Sequence, residues 1–257
     1  MNRIDTLFRE KQNNILSIYF TAGHPTFEST VEIIKELQNN GVDLIEIGMP
    51  FSDPLADGPV IQKSSQVALN NGMSIRKLFA QLKEIRETIN IPLILFGYLN
   101  PVLQYGFEKF CQDASEIGID GLILPDLPPK EYMEHYKNIV EKYNLKFIFL
   151  ISPETSNERV EILDSTGSGF NYIVSSSSTT GAKEKIIEQQ KAYFERINSL
   201  NLKLPKLIGF GISNNESYLN ACKQANGVII GSAFVNAIDE AKDLKSTIKD
   251  FVNMIRG

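Results

Sequence analysis

Cysteine is scarce: Cys111 and Cys222 are the only two in 257 residues, far apart and without a Cys-x-x-Cys spacing. Neither a disulfide framework nor a cysteine-bound zinc has support, and two buried or partly buried thiols in a reducing cytosol is the expectation. Long apolar runs are missing as well. No stretch of about 18 consecutive apolar residues occurs, and residues 1–12 are polar and charged, without the apolar centre of a signal peptide. A cytoplasmic protein is expected. Basic runs and aromatic-basic interleaving are also lacking, and the formal net charge is −5, which argues against nucleic acid or an anionic membrane as the main partner. A small anion can still be held locally. What is present is ordinary for a chain that buries a full core, with 42% hydrophobic and 22% charged residues.

The apolar pattern alternates strand and helix from end to end, with no linker. Ile4, Leu7 and Phe8 mark a short leading helix. Strands are expected at residues 15–21, 42–47, 93–96, 122–124, 146–151, 171–175, 207–210 and 228–230, each short and rich in β-branched residues. Amphipathic stretches separate them, such as Val31, Ile34 and Leu37, or Tyr132, Tyr136, Ile139 and Tyr143, and a last helix runs from Ile238 through Ala241 and Ile248 to Ile255. Eight such units in roughly 250 residues match a (β/α)8 TIM barrel in the α/β class, with a short extra N-terminal helix and one domain over residues 1–257. An open doubly wound sheet is the alternative.

The densest chemistry follows the second strand. Glu46 lies between Ile45 and Ile47, where a carboxylate is poorly solvated, its pKa rises, and it can exchange a proton near neutrality. Pro50, Pro54, Pro59 and Gly58 then force a loop that returns Asp57. Two carboxylates meeting in one pocket can divide acid, base and electrostatic roles; a capping and turn segment is the plainer reading.

In a barrel the site lies at the C-terminal strand ends, with phosphate commonly held by the last two loops. Gly209, Phe210 and Gly211 follow the seventh strand, and Ser213 with Glu216 reads as a capping box. Gly231 and Ser232 open a helix after the eighth. Glycines that admit close approach, with free N–H groups at a helix start, suit an anion such as phosphate. After the sixth strand, residues 175–181 are hydroxyl-rich and end in Gly181, which suits a lid or further phosphate donors, or a solvated polar loop.

The segment Glu46-x-Gly-x-Pro-Phe-Ser-Asp-Pro-x-Ala-Asp-Gly-Pro resembles the signature of the tryptophan synthase alpha chain family, and the likeness covers nearly the whole chain. Supporting it are Thr21-Ala22-Gly23-x-Pro25, Gly97-Tyr98-x-Asn100-Pro101, Asp126-Leu127-Pro128, Thr180-Gly181 and Gly209-Phe210-Gly211-Ile212. The resemblance implies a barrel lyase that cleaves indole-3-glycerol phosphate to indole and glyceraldehyde 3-phosphate. Glu46 would be the acid and base, Asp57 would assist at the indole nitrogen, and Tyr172 would lie beside the substrate. Gly181, Phe210, Gly211, Gly231 and Ser232 would hold substrate and phosphate, while Asp53, Pro54 and Asp126 would face a partner. That partner would be the beta chain, in an alpha2beta2 tetramer, with pyridoxal phosphate there and no metal or cofactor in this chain. Loop six departs from the family pattern, since Ser178 stands where a glycine is common.

The residue types also fit that chemistry directly. Cleavage needs indole C3 protonated, which a buried glutamate can do, and a fixed carboxylate stabilises the positive ring nitrogen that results. Tyr19, Phe20, Leu95, Leu124, Ile151 and Phe210 are candidates for an indole pocket and equally for barrel packing. His24 reads as a solvated turn residue and His135 as exposed or structural. Two other functions are weighed: a partner-activating barrel without catalysis, which would not need a buried acid, and a phosphosugar isomerase or prenyl synthase barrel, which does not account for the Pro-Phe-Ser-Asp-Pro segment.

Overall fold

A computed structural model describes residues 1–174, 183–209 and 211–257 of the chain. Nine parallel strand segments form one sheet: β1 (Ile15–Thr21), β2 (Leu44–Gly48), β3 (Leu93–Phe96), β4 (Gly121–Ile123), β5 (Lys146–Phe147), β6 (Leu150–Ile151), β7 (Asn171–Val174), β8 (Lys206–Gly209) and β9 (Gly227–Ile230). Their order is β5-β4-β3-β2-β1-β9-β8-β7-β6. The two ends, β5 and β6, are halves of the single strand expected at 146–151, and one pairs with β4 while the other pairs with β7. The Ile148 amide still donates to Leu122 O (3.0 Å) and Tyr172 N to Phe149 O (3.1 Å), so the sheet closes into the barrel that the sequence pattern predicts.

The strands carry apolar residues on both faces because both are covered. Inside the ring, Ile15, Leu44, Ile94, Ile123, Ile148, Tyr172, Leu207 and Ile229 pack together, with Ile4 and Phe170 alongside. Alternate residues, including Leu16, Ile18, Phe20, Ile45, Ile47, Leu95, Leu122 and Ile151, face the surrounding helices in a second cluster. The leading helix, Arg3–Glu10, delivers Ile4 to the inner cluster. Asn2 anchors it, accepting from Ile4 N (2.9 Å) and donating to Asp120 O and Asn144 O (2.8 Å each).

Two helix expectations are corrected. The last amphipathic stretch is two helices, Ser232–Asp239 and Leu244–Arg256, and Asp243 caps the second through Ser246 N. The cap of the helix after β8 lies one residue later than the Ser213–Glu216 reading: Asn214 accepts from Ser217 N, and the Ser217 hydroxyl closes the box around Asn215–Cys222. An asparagine in front of a serine serves as well as the Ser-x-x-Glu pattern, because both supply a short polar side chain. Among the described residues, no helix is long and apolar enough to cross a membrane.

Candidate active site

β1 and β2 pair so that Tyr19 and Glu46 are Cα partners. Glu46 shares the inward parity of Leu44 on β2, so its neighbours Ile45 and Ile47 point to the helices and the barrel interior does the desolvating. It has no exposed surface. Ser17 Oγ donates to Oε1 at 2.8 Å, whereas Oε2 has no partner among the described residues. Burial outweighs that one hydrogen bond and pushes the carboxyl up to about 8 from an ordinary 4.5. Glu46 therefore holds a proton at neutral pH.

Above it, a pocket of about 270 Å³ opens at the C-terminal ends of the strands. Tyr19, Phe96 and Tyr172 form an aromatic wall: the Tyr19 and Phe96 rings meet edge to face at 5.5 Å, and Phe96 and Tyr172 at 6.2 Å. Glycine makes room for both phenols, since a Cβ at Gly48 would collide with the Tyr19 ring and one at Gly209 with Tyr172. Both hydroxyls are raised far above their usual range, first by burial and then by the neighbouring carboxylates. Ile61, Ile212, Ile229, Ile230 and Ala233 add to the apolar lining.

Asp57 lines the same pocket. Its pKa is raised by burial, which the Tyr98 hydroxyl offsets by donating to Oδ2 at 3.0 Å. Tyr98 also accepts from Ala56 N (3.0 Å), and its ring lies 5.2 Å from that of Phe51. Gly211, Ser213, Gly231 and Ser232 also line the pocket. Gly211 has φ +76, a left-handed conformation that favours glycine. Gly231 precedes helix Ser232–Asp239, whose first N–H groups are met by no side-chain cap, the arrangement that attracts an anion.

The expected residues are thus distributed as follows. Asp57, Tyr172, Gly211, Gly231 and Ser232 line one pocket. Glu46 sits a shell behind the wall, next to Tyr19 and Tyr172, whose phenols feel its charge. Gly181, Phe210 and the loop-six departure at Ser178 lie outside the described residues. Of the other indole-pocket candidates, Tyr19 lines the pocket, but Phe20, Leu95, Leu124 and Ile151 belong to the outer cluster. Strand parity separates them, and Phe96 is the residue that the same parity would have picked out. Asp53 is exposed, Pro54 half-buried, and Leu55 beside them is 90% exposed. Asp126 is exposed and accepts from Leu99 N with both oxygens (2.9 and 3.1 Å).

His24 corrects the solvated-turn reading. It is 1% exposed, and its Nε2 lies 2.9 Å from Asp239 Oδ1, while Asp239 Oδ2 accepts from Lys63 at 2.7 Å. The trio ties the loop after β1 to helices Pro59–Asn70 and Ser232–Asp239, which flank the pocket. The partner of His24 lies 215 residues away in sequence, so no local signal announced its burial. His135 is exposed, as expected.

Comparison with known proteins gives one answer. The tryptophan synthase alpha chain family model matches residues 6–256. A tryptophan synthase alpha chain from Flavobacterium johnsoniae is 56% identical over 256 residues, covering all of both chains. Among solved structures, a tryptophan synthase subunit alpha from Legionella pneumophila str. Paris superposes with a TM-score of 0.90 at 36% identity, over 100% of this chain and 97% of that one. A tryptophan synthase complex from Pyrococcus furiosus contains a chain with a TM-score of 0.86 at 32% identity, over 95% of this chain and 98% of its own.

Proposed function

We propose, from the premise that the chain belongs to the tryptophan synthase alpha chain family, that Glu46, Asp57 and Tyr172 carry that family's reaction here. The reaction is the retro-aldol cleavage of indole-3-glycerol phosphate to indole and glyceraldehyde 3-phosphate, a lyase step of tryptophan biosynthesis. The alpha chain carries no cofactor, and pyridoxal phosphate belongs to the beta chain with which it assembles.

One observation carries the assignment: a fully buried glutamate, its pKa pushed up by burial and one oxygen unpartnered among the described residues, stands beside a pocket with an aromatic wall, a carboxylate and a helix start. The aromatic wall suits a flat indole, and Gly211, Gly231 and Ser232 suit its phosphate. Glu46 turns toward the pocket, where Oε2 has no hydrogen bond to hold it back, and protonates indole C3. The ring nitrogen becomes positive, and Asp57 stabilises that charge as it develops. Glu46, now a carboxylate, takes the proton from the side-chain hydroxyl as the carbon–carbon bond breaks. A carbonyl forms on the departing triose, and the ring leaves as neutral indole. Tyr172 packs beside the ring. Gly181 and Phe210 belong to the same substrate-holding set, and Asp53, Pro54 and Asp126 to the beta-chain contact, in an alpha2beta2 assembly. The chain works as one domain over residues 1–257, in the cytoplasm.

The test is release of indole from indole-3-glycerol phosphate by the purified chain, alone and with a beta chain. Equimolar indole and glyceraldehyde 3-phosphate are expected; no indole under either condition overturns the assignment.

A further inference from the structure

Tyr98 was not among the expected site residues and does not line the pocket, yet it is 7% exposed and makes two directed bonds. A phenol has one proton to give. The Ala56 amide points at the Tyr98 oxygen from 3.0 Å, so the phenol accepts there and its own proton is committed to Asp57 Oδ2, also at 3.0 Å. Oδ1 of Asp57 has no side-chain or backbone donor among the described residues and remains for a ligand. The ring is held against Phe51 at 5.2 Å, and the Tyr98 backbone precedes helix Leu99–Tyr105, whose first N–H is fixed by Asp126. Every atom that sets the direction of the phenol is itself anchored.

We propose that Tyr98 is a positioning residue for the cleavage: its hydroxyl fixes the rotamer of Asp57, leaving Oδ1 as the oxygen that faces the indole nitrogen. The inference rests on the reading of Asp57 given above and deepens it. A fixed carboxylate stabilises a developing charge better than one that must reorient at the moment of reaction. The hydrogen bond also opposes burial, which raises the Asp57 pKa, and so favours the ionised form. The other titratable groups near Asp57 are Tyr19 on β1 and Tyr172 on β7, both of which feel its charge, and Glu46, which acts on the same two phenols. Asp57 has no ion pair among the described residues, so Tyr98 is the group that holds its pKa down.

Tyr98→Phe in the full chain is the experiment, because it keeps the ring against Phe51 and deletes one oxygen. A hydrogen bond to a charged group is worth about a tenfold change or more, so kcat for cleavage is expected to fall about tenfold with KM within about twofold. Asp57 acts as the anion, so activity is lost as pH falls through its pKa. Loss of the donor raises that pKa, and the acid limb of the kcat profile moves to higher pH. Incorporation of 3-fluorotyrosine at position 98, a stronger donor of the same shape, moves the limb the other way. An unchanged kcat and acid limb, or a fall in kcat that is equal at every pH, overturns the proposal while Asp57→Asn remains inactive. An active Asp57→Asn variant overturns the Asp57 assignment itself, and the role of Tyr98 with it.

Discussion

Ser17 Oγ donates to Glu46 Oε1 across 2.8 Å, and it is the only hydrogen bond made by the buried carboxyl among the described residues. One donor does not offset complete desolvation, so the folded chain keeps a proton that the unfolded chain releases. Below about 4.5, the ordinary value, Glu46 is protonated in both states and costs nothing electrostatically. From there to its folded value of about 8, ionisation favours the unfolded chain, so this group lowers stability as pH rises. Above 8 the penalty is constant. At about 1.4 kcal/mol per pH unit it reaches the order of several kcal/mol.

Glu46→Gln removes that titration. The variant is expected to be more stable than the parent at pH 8 and to lose the advantage toward pH 5, as read by urea unfolding. Its kcat should fall by about 10² to 10⁴, the range for loss of a general acid and base. Equal stability differences at the two pH values would show that the carboxyl is not protonated by its surroundings.

The activity profile has an alkaline limb of the same origin. Glu46 acts first as an acid, so kcat is expected to decline as pH rises through about 8. Ser17→Ala deletes the donor that favours the carboxylate and should displace the limb to higher pH, whereas Ser17→Thr should leave it near its original position. An alkaline limb that stays in place in Ser17→Ala would detach it from Glu46.

Ser232 begins a helix, where an acidic side chain is compatible with the helix dipole. Ser232→Asp should therefore fold normally while repelling the substrate's phosphate, with KM raised about tenfold or more for 1.4 kcal/mol of repulsion. Gly211→Asp should act in the same direction, with added strain from the positive φ of 76°. Substrate titration with circular dichroism as the control checks both, and unchanged KM in the two would move the phosphate elsewhere.

The loop of residues 50–57 carries Asp57 on an exposed, proline-bearing segment, and a docking chain would order it. Addition of a beta chain is expected to raise indole release about tenfold or more. Asp53→Ala and Asp126→Ala should reduce the ratio of stimulated to unstimulated rate, and Asp57→Asn should abolish both rates. Identical rates with and without the beta chain, once complex formation is verified, would contradict loop ordering.

The barrel was legible because its strands are short, doubly buried and regularly spaced, although the pattern ran β5 together with β6 and the last two helices into one. Glu46 was picked out for its position near the end of a buried strand, although its flanking isoleucines point away from it and the ring interior supplies the burial. The indole pocket was misread at Phe20, Leu95, Leu124 and Ile151 because apolarity was weighed without strand parity. Tyr98 and His24 were beyond local reading for a different reason. Each is defined by a partner distant in sequence, Asp57 for one and Asp239 for the other, and only the closed sheet brings them together.

The closure of the sheet at Lys146–Ile151 also bears on how the chain fares before assembly. An open sheet presents backbone groups that recruit foreign strands, and a ring presents none. Among the described residues, an alpha chain without its partner therefore exposes scattered apolar side chains, Leu55 foremost, in place of an unpaired strand edge.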